Sequence, residues 1–265
     1  MKKLTFRYEM QLAFEHTVTE HHFLFRCLPY ADGIQHSYGE RLWIEPAGSI
    51  REMTDGFGNR VIAGEAMEAH EYLNLRAEGT VFVDLTARRK EEFHPLFLFP
   101  SDYTRPGGTV RLFFEETRGK FRNSQTEDVR EFSFACFLMH ELYGQFSYVP
   151  GKTSVKTTAE EALTGREGVC QDYAHIFIAL CRMAGIPARY VAGMMVGEGA
   201  THAWAEVWID GTWIGMDPTH DRLTGEEYIK LSHGRDFGDC PVDRGCFKGF
   251  TAQNQKIYVK VEDET

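Results

Sequence analysis

Asp210-Gly211, set between Ile209 and Thr212, constrains this chain more than any other pair of residues. Asp-Gly is favoured in a two-residue hairpin turn because both central positions need positive φ. With that turn Ile209 faces Thr212, and counting outward puts His202 opposite Thr219 and Trp204 opposite Asp217. His202 and Asp217 then share one face of the hairpin as diagonal neighbours, close enough for a carboxylate to reach an imidazole. A three-residue loop would send them to opposite faces. The tightness of one turn therefore decides whether the two side chains meet.

A helix is readable upstream of the hairpin. Tyr173, Ile176, Phe177, Leu180 and Ala184 recur at helical spacing after Cys170, and Gly185-Ile186-Pro187 closes the run with a C-cap glycine and a breaker. Cys170 falls in the first turn, where unpaired amides and the positive end of the helix dipole favour a thiolate. A thiol is a weak nucleophile until its pKa falls, and a helix N-terminus beside an imidazolium lowers it. Gly168 is expected to remove bulk, so that a substrate carbonyl can approach the Cys170 amide. A cysteine at a helix start, a histidine on a strand and an aspartate on the next strand are the parts of a thiolate acyl-transfer site.

These blocks resemble the transglutaminase-like superfamily, whose core is related to papain-like cysteine peptidases. The resemblance rests on Glu167-Gly168-Val169-Cys170-Gln171-Asp172-Tyr173-Ala174-His175, on Ala184 to Gly193, on His202-Ala203-Trp204-Ala205-Glu206-Val207 and on Asp217-Pro218-Thr219. Gly234-Arg235-Asp236-Phe237, Arg244-Gly245 and Asp55-Gly56-Phe57-Gly58-Asn59 are similar to bacterial members. It implies an α+β fold: an N-terminal β-sandwich-like domain, then a papain-like transglutaminase core whose nucleophile helix packs on an antiparallel sheet. It also implies Cys170 as nucleophile, His202 as general base and acid, and Asp217 as the residue that orients His202. Gln171 and Trp204 are the expected substrate or oxyanion neighbours, while His175, further along the helix, reads as structural.

Composition bounds the partners. A formal charge of -10, from 29 basic and 39 acidic side chains, argues against a nucleic-acid partner held through phosphates. No segment is long and apolar enough to span a bilayer, and Met1 to Arg7 lacks a signal peptide's apolar stretch, so the expected address is cytoplasmic and no membrane partner is expected. Six scattered cysteines without a Cys-x-x-Cys pair read as free thiols. Cys136 and Cys181 are expected in the core. A metal shared by Cys240, Cys246, His220 and His233 fits no zinc spacing, and no EF-hand loop is present, so no metal and no cofactor are expected.

Domain organisation follows from pattern changes. Phe6, Tyr8, Met10, Leu12 and Phe14 alternate with polar neighbours, and short apolar runs continue to Leu85, which predicts an all-β domain over 1–85. An ordered connector is expected over 86–125 and the catalytic core over 126–265. Ser124-Gln125-Thr126-Glu127 and Thr158-Ala159-Glu160-Glu161 have capping-box spacing. After the first, Val129, Phe132, Ser133, Cys136, Phe137, His140 and Tyr143 predict a helical stripe.

Taken singly, Cys170 reads as a buried thiol, His202 as a locally bonded strand histidine and Asp217 as a turn former. Jointly they predict an enzyme acting on a peptide or protein substrate through a thioester. Water as acceptor gives a peptidase or amidase, which is the favoured reading. A lysine or small amine gives a cross-linking or amine-transferring enzyme, and a non-catalytic binding module of the same fold is the further alternative.

Overall fold

The alternation that begins at Leu4 becomes β1 (Lys2–Phe25), a strand of 24 residues that buries Leu4, Phe6, Tyr8, Met10 and Phe14 and turns Lys3, Arg7 and Gln11 to solvent. The computed structural model describes residues 1–124 and 131–264. Gln125, Thr126 and Glu127 of the first expected capping box, and Val129, lie outside the described residues. After β1 come β2 (Gln35–Glu45), β3 (Ile50–Thr54), β4 (Arg60–Ala66) and β5 (His70–Val83), then α1 (Gly108–Ser124) and α2 (Glu131–Gln145). The chain continues through β6 (Ser147–Tyr148), α3 (Ala159–Gly165), β7 (Glu167–Gly168), α4 (Cys170–Met183), β8 (Ala188–Met195) and β9 (Gly197–Gly199). It ends with β10 (His202–Ile209), β11 (Thr212–Asp217), β12 (Arg222–Leu223), β13 (Tyr228–Gly234), β14 (Asp243–Lys248) and β15 (Gln253–Asp263).

Two antiparallel sheets carry the site. In the first, the order is β2-β5-β1-β15-β9, with β4 and β14 on the second half of β1 and β3 beyond β4. Register shifts between Ala13 and Val18 and between Thr19 and His22 bend β1, which curls this sheet. β14 and β15 thus return from the far end of the chain to pair with β1. β15 gave little apolar signal because Gln253, Asn254, Gln255 and Lys256 are all exposed. The second sheet runs β12-β11-β10-β8-β13, and α4 packs on its β8 and β10 strands. The result is the mixed α and β architecture that the sequence implies.

The decisive turn forms as expected. Asp210 has φ +51° and Gly211 φ +86°, and Ile209 pairs with Thr212, Trp208 with Trp213 and Ala205 with Met216. α3 starts at the predicted capping box, with the Thr158 hydroxyl accepting from the Glu161 amide. α4 is not merely amphipathic: every residue from Asp172 to Arg182 is buried, because α2 and α3 cover the side that the sheet does not. Burial of Ile176, Phe177 and Leu180 contributes about 1.5–3 kcal/mol each. Buried Arg182 ends the helix by donating to the carbonyls of Phe97, Ala188 and Arg235 and to Thr104 Oγ1, tying the connector to both ends of the core.

On α2 the buried face is Phe134, Ala135, Leu138, Met139 and Leu142, not the predicted aromatic stripe. His140 and Tyr143 are exposed and Cys136 is half-buried. The helix turns its aliphatic side to α4, while Phe137 meets Phe121 of α1. Two apolar stripes coexist here, and periodicity alone does not choose between them. Cys181 is fully buried, as expected.

Gly193 of β8 pairs with His202 and with Lys230, and a Cβ there would collide with the Ile229 carbonyl oxygen and the Trp204 ring. Since one of those neighbours is backbone, relief requires moving a strand. Gly193→Ala is expected to lower the unfolding free energy by about 2–3 kcal/mol in urea denaturation. A change below about 0.5 kcal/mol would show that the strands yield freely.

Candidate active site

Cys170 opens α4 at the wall of a cleft of about 510 Å³, shared with His202, Gln171, Tyr190, Phe237 and Asp243. Val169 precedes the helix in extended conformation, and its amide donates to Asp172 Oδ2 at 2.8 Å, while the Thr153 hydroxyl donates to the same oxygen at 2.6 Å. Here the role expected for Gly168 changes. It is buried, and a Cβ would lie 2.8 Å from the Asp172 Cβ, so the missing side chain makes room for the Asp172 carboxylate rather than for substrate. Glycine is thus needed to let the first turn of the helix cap itself.

The hairpin brings His202 and Asp217 together: Nε2 lies 2.8 Å from Asp217 Oδ2, with the carboxylate fully buried and the imidazole 10% exposed. With Nε2 committed to Asp217, Nδ1 is the ring nitrogen left for Cys170, which lines the same cleft. Burial opposes a charge on the ring, but the Asp217 hydrogen bond and the Cys170 sulfur outweigh it and lift its pKa to about 9. For Asp217, burial alone would raise the pKa. Donors from His202, His220 and Tyr228 reverse that and hold the carboxyl well below the usual carboxylate range.

Two partners of this carboxylate escaped the sequence reading. His220 Nδ1 and the Tyr228 hydroxyl each lie 2.8 Å from the same Oδ2, and the Thr219 amide donates to Oδ1 at 3.0 Å. Tyr228 Oη in turn accepts from Arg222 Nε at 2.9 Å. Asp217-Pro218-Thr219-His220 is a turn-forming sequence, and the three-residue offset was the available signal for His220. Tyr228 carried none, since β13 reaches the site only through the sheet order. The four-residue metal grouping weighed from the sequence is not assembled. Cys246 is exposed, the Cys240 thiol faces the Asp236 carbonyl, and His233 meets Arg189. The ligand-type atoms that do converge are those of His202, Asp217 and His220, within 4.8 Å of one another around an oxygen already supplied with donors.

Gln171 lines the cleft, its Nε2 donating to the Val155 carbonyl at 3.3 Å. Trp204 does not line it. That residue is 2% exposed, packed edge-on against Tyr228 and stacked beside His202, so it shields the His202–Asp217 bond from water and does not reach substrate. Glu206, on the same strand, pairs with Arg189 and Lys230, and although burial pushes its pKa up, those two cations hold it at about 2. His175 accepts the Phe237 amide at 3.1 Å and is fully buried, away from the cleft. Burial raises the pKa of the Cys27, Cys181 and Cys240 thiols, leaving them inert.

Residues 119–218 match the family model of the transglutaminase-like superfamily, and residues 4–82 match that of the bacterial transglutaminase-like N-terminal region. An uncharacterized protein of Mycobacterium tuberculosis is 33% identical over 258 residues, covering 86% of this chain and 82% of its own length. A crystal structure from Cytophaga hutchinsonii, described as a candidate cysteine protease, superposes with a TM-score of 0.80 at 25% identity, covering 100% of this chain and 91% of that one. A protein-glutamine gamma-glutamyltransferase of Pseudomonas aeruginosa is 31% identical over 101 residues, 32% of this chain and 15% of that protein.

The coupled shifts set a pH window. His202 is raised from 6.5 to about 9, so the stability it contributes is complete below pH 6.5 and is lost as pH rises through about 9. Asp217 is lowered from 3.8, so its contribution is present above that value and fades as pH falls below it. Together they stabilise most between 3.8 and 6.5. The His202 ring is expected to titrate near pH 9 by NMR, and in Asp217→Asn its titration should move down and the alkaline loss of stability should shrink. Titration near 6.5 in the native chain would remove the charged pair.

Proposed function

We propose that this chain, which belongs to the transglutaminase-like superfamily, is a cysteine-dependent acyl-transfer enzyme that opens peptide or amide bonds through a thioester on Cys170 and delivers the acyl group to water. Members of that superfamily are generally enzymes. The observation that carries the reading is the convergence at one cleft of a helix-start thiol and an imidazole bonded at 2.8 Å to a buried carboxylate. Among six free thiols, Cys170 has both the cleft and the imidazole.

In this reading the charged His202 beside the sulfur favours the thiolate, which attacks the amide carbon. The carbonyl oxygen takes up the negative charge near the Cys170 amide, an unpaired donor of the helix start. Collapse breaks the carbon–nitrogen bond, and the departing nitrogen takes the proton of His202, since an amide nitrogen leaves only when protonated. Neutral His202 then removes a proton from water, the oxygen displaces sulfur from the acyl carbon, and the acid is released as the charged pair is restored. Asp217 touches no reacting atom. It positions the ring and supports its positive charge through every step.

Water as the acceptor is supported by the full-length likeness to a candidate cysteine protease. The shorter match to a protein-glutamine gamma-glutamyltransferase favours the second reading, transfer to an amine. Thioester formation is common to both. A reducing compartment suits six unpaired cysteines, one of them exposed, and the cytoplasm is the address proposed.

With p-nitrophenyl acetate as acyl donor, a burst of p-nitrophenolate and an acetyl mass on the Cys170 peptide are expected. Cys170→Ala should lose both, with turnover reduced by about 10³-fold or more. Turnover retained by that variant would exclude the role. A peptide library incubated with and without a primary amine then separates the acceptors by mass spectrometry. Free-acid products in both samples support hydrolysis, and amine incorporation overturns it.

A further inference from the structure

The wall of the cleft facing α4 is built by strands that return to the curled sheet, and one residue of that wall is chemically unfinished. Asp243, the first residue of β14, lines the same cleft as Cys170 and His202 and is half-buried. Its far flank borders a mixed crevice that includes Met10, His21, Phe23, Phe25 and Phe247. Its hydrogen bond is a neutral one, from Gln255 Nε2 to Oδ2 at 2.8 Å, and no ion pair reaches it among the described residues.

Several buried carboxylates have cations or multiple side-chain donors: Glu206 has Arg189 and Lys230, Asp55 has Arg26, and Asp217 has three side-chain donors. Asp172, which does not line the cleft, resembles Asp243 in having hydrogen bonds and no ion pair among the described residues. For Asp243, burial raises the pKa and one amide hydrogen bond offsets it only in part. Arg244, its neighbour in the chain, directs Nη2 to the Gly238 carbonyl at 3.3 Å, and Lys156 on the same cleft is exposed to solvent. A desolvated carboxylate lacking a cation gains most from one that arrives with a ligand. The chain's charge of -10 adds a field that draws cations in.

We propose that Asp243 docks a cationic nitrogen of the acyl donor, so that the enzyme selects substrates carrying an ammonium or guanidinium group within reach of the amide that it opens. This rests on the acyl-transfer reading of the cleft and adds its substrate class. Asp243 touches substrate away from the reacting carbon, so its effect falls on KM more than on kcat. Gln255 holds the carboxylate toward the cleft by its hydrogen bond.

Paired p-nitrophenyl esters of graded chain length, ending either in trimethylammonium or in the uncharged tert-butyl isostere, test this. In the native chain kcat/KM is expected to favour the cationic ester by about tenfold, mainly through KM, with the preference shrinking as salt rises. Asp243→Asn should bring the ratio to about one, and Asp243→Glu should keep the preference for the cation. A ratio near one in the native chain, which needs no variant to measure, overturns the assignment, as does an unchanged ratio in Asp243→Asn. If both esters acylate Cys170 at equal rates, the role of Asp243 fails while acyl transfer stands. If neither leaves an acyl mass on Cys170, both fall.

Discussion

A single carboxylate oxygen organises this protein. Asp217 Oδ2, with its side chain fully buried, collects His202 Nε2, His220 Nδ1 and the Tyr228 hydroxyl, all at 2.8 Å. An isolated charge in such a place would cost several kcal/mol, so the carboxylate persists only because the fold delivers donors to it. Those donors come from β10, from the turn after β11 and from β13, so the oxygen ties three parts of the second sheet to one point. The constraint runs in both directions: the sheet order makes the charge tolerable, and the charge fixes the ring that faces Cys170.

Rigidity at the other partner comes from burial rather than charge. α4 is enclosed from Asp172 to Arg182, and its first turn is held by Asp172, whose carboxylate bonds the Val169 amide and the Thr153 hydroxyl. Arg182 locks the opposite end to four separate segments through carbonyl and hydroxyl acceptors. The sulfur therefore sits on a helix that has no freedom to slide. Facing it, Asp243 and Arg244 of β14 and Gln255 and Ile257 of β15 line the cleft, so the curled sheet borders it through the two strands that pair with β1.

What was legible in the sequence was local and strongly typed. Asp210-Gly211 specifies its turn by positive φ at both positions, and the register that follows brought His202 to Asp217 as counted. Cys170 at a helix start and the Gly185 stop, with φ +79°, were equally readable. The errors were of reach. Tyr228 and His220 join the carboxylate through sheet order and turn geometry, and β14 and β15 return to β1 over more than 200 residues of chain, a pairing that periodicity does not encode. Trp204 and Gly168 were assigned from local sequence alone, whereas their roles depend on which neighbours fill the space beside them.

The most direct test of the charged pair is the rate of alkylation of Cys170 by iodoacetamide at pH 6, with exposed Cys246 of the same chain as the internal comparison. An imidazolium beside the sulfur predicts that Cys170 is modified much faster than Cys246 at that pH, and that His202→Ala abolishes the difference. Equal rates for the two cysteines in the native chain, unaffected by His202→Ala, would contradict the account.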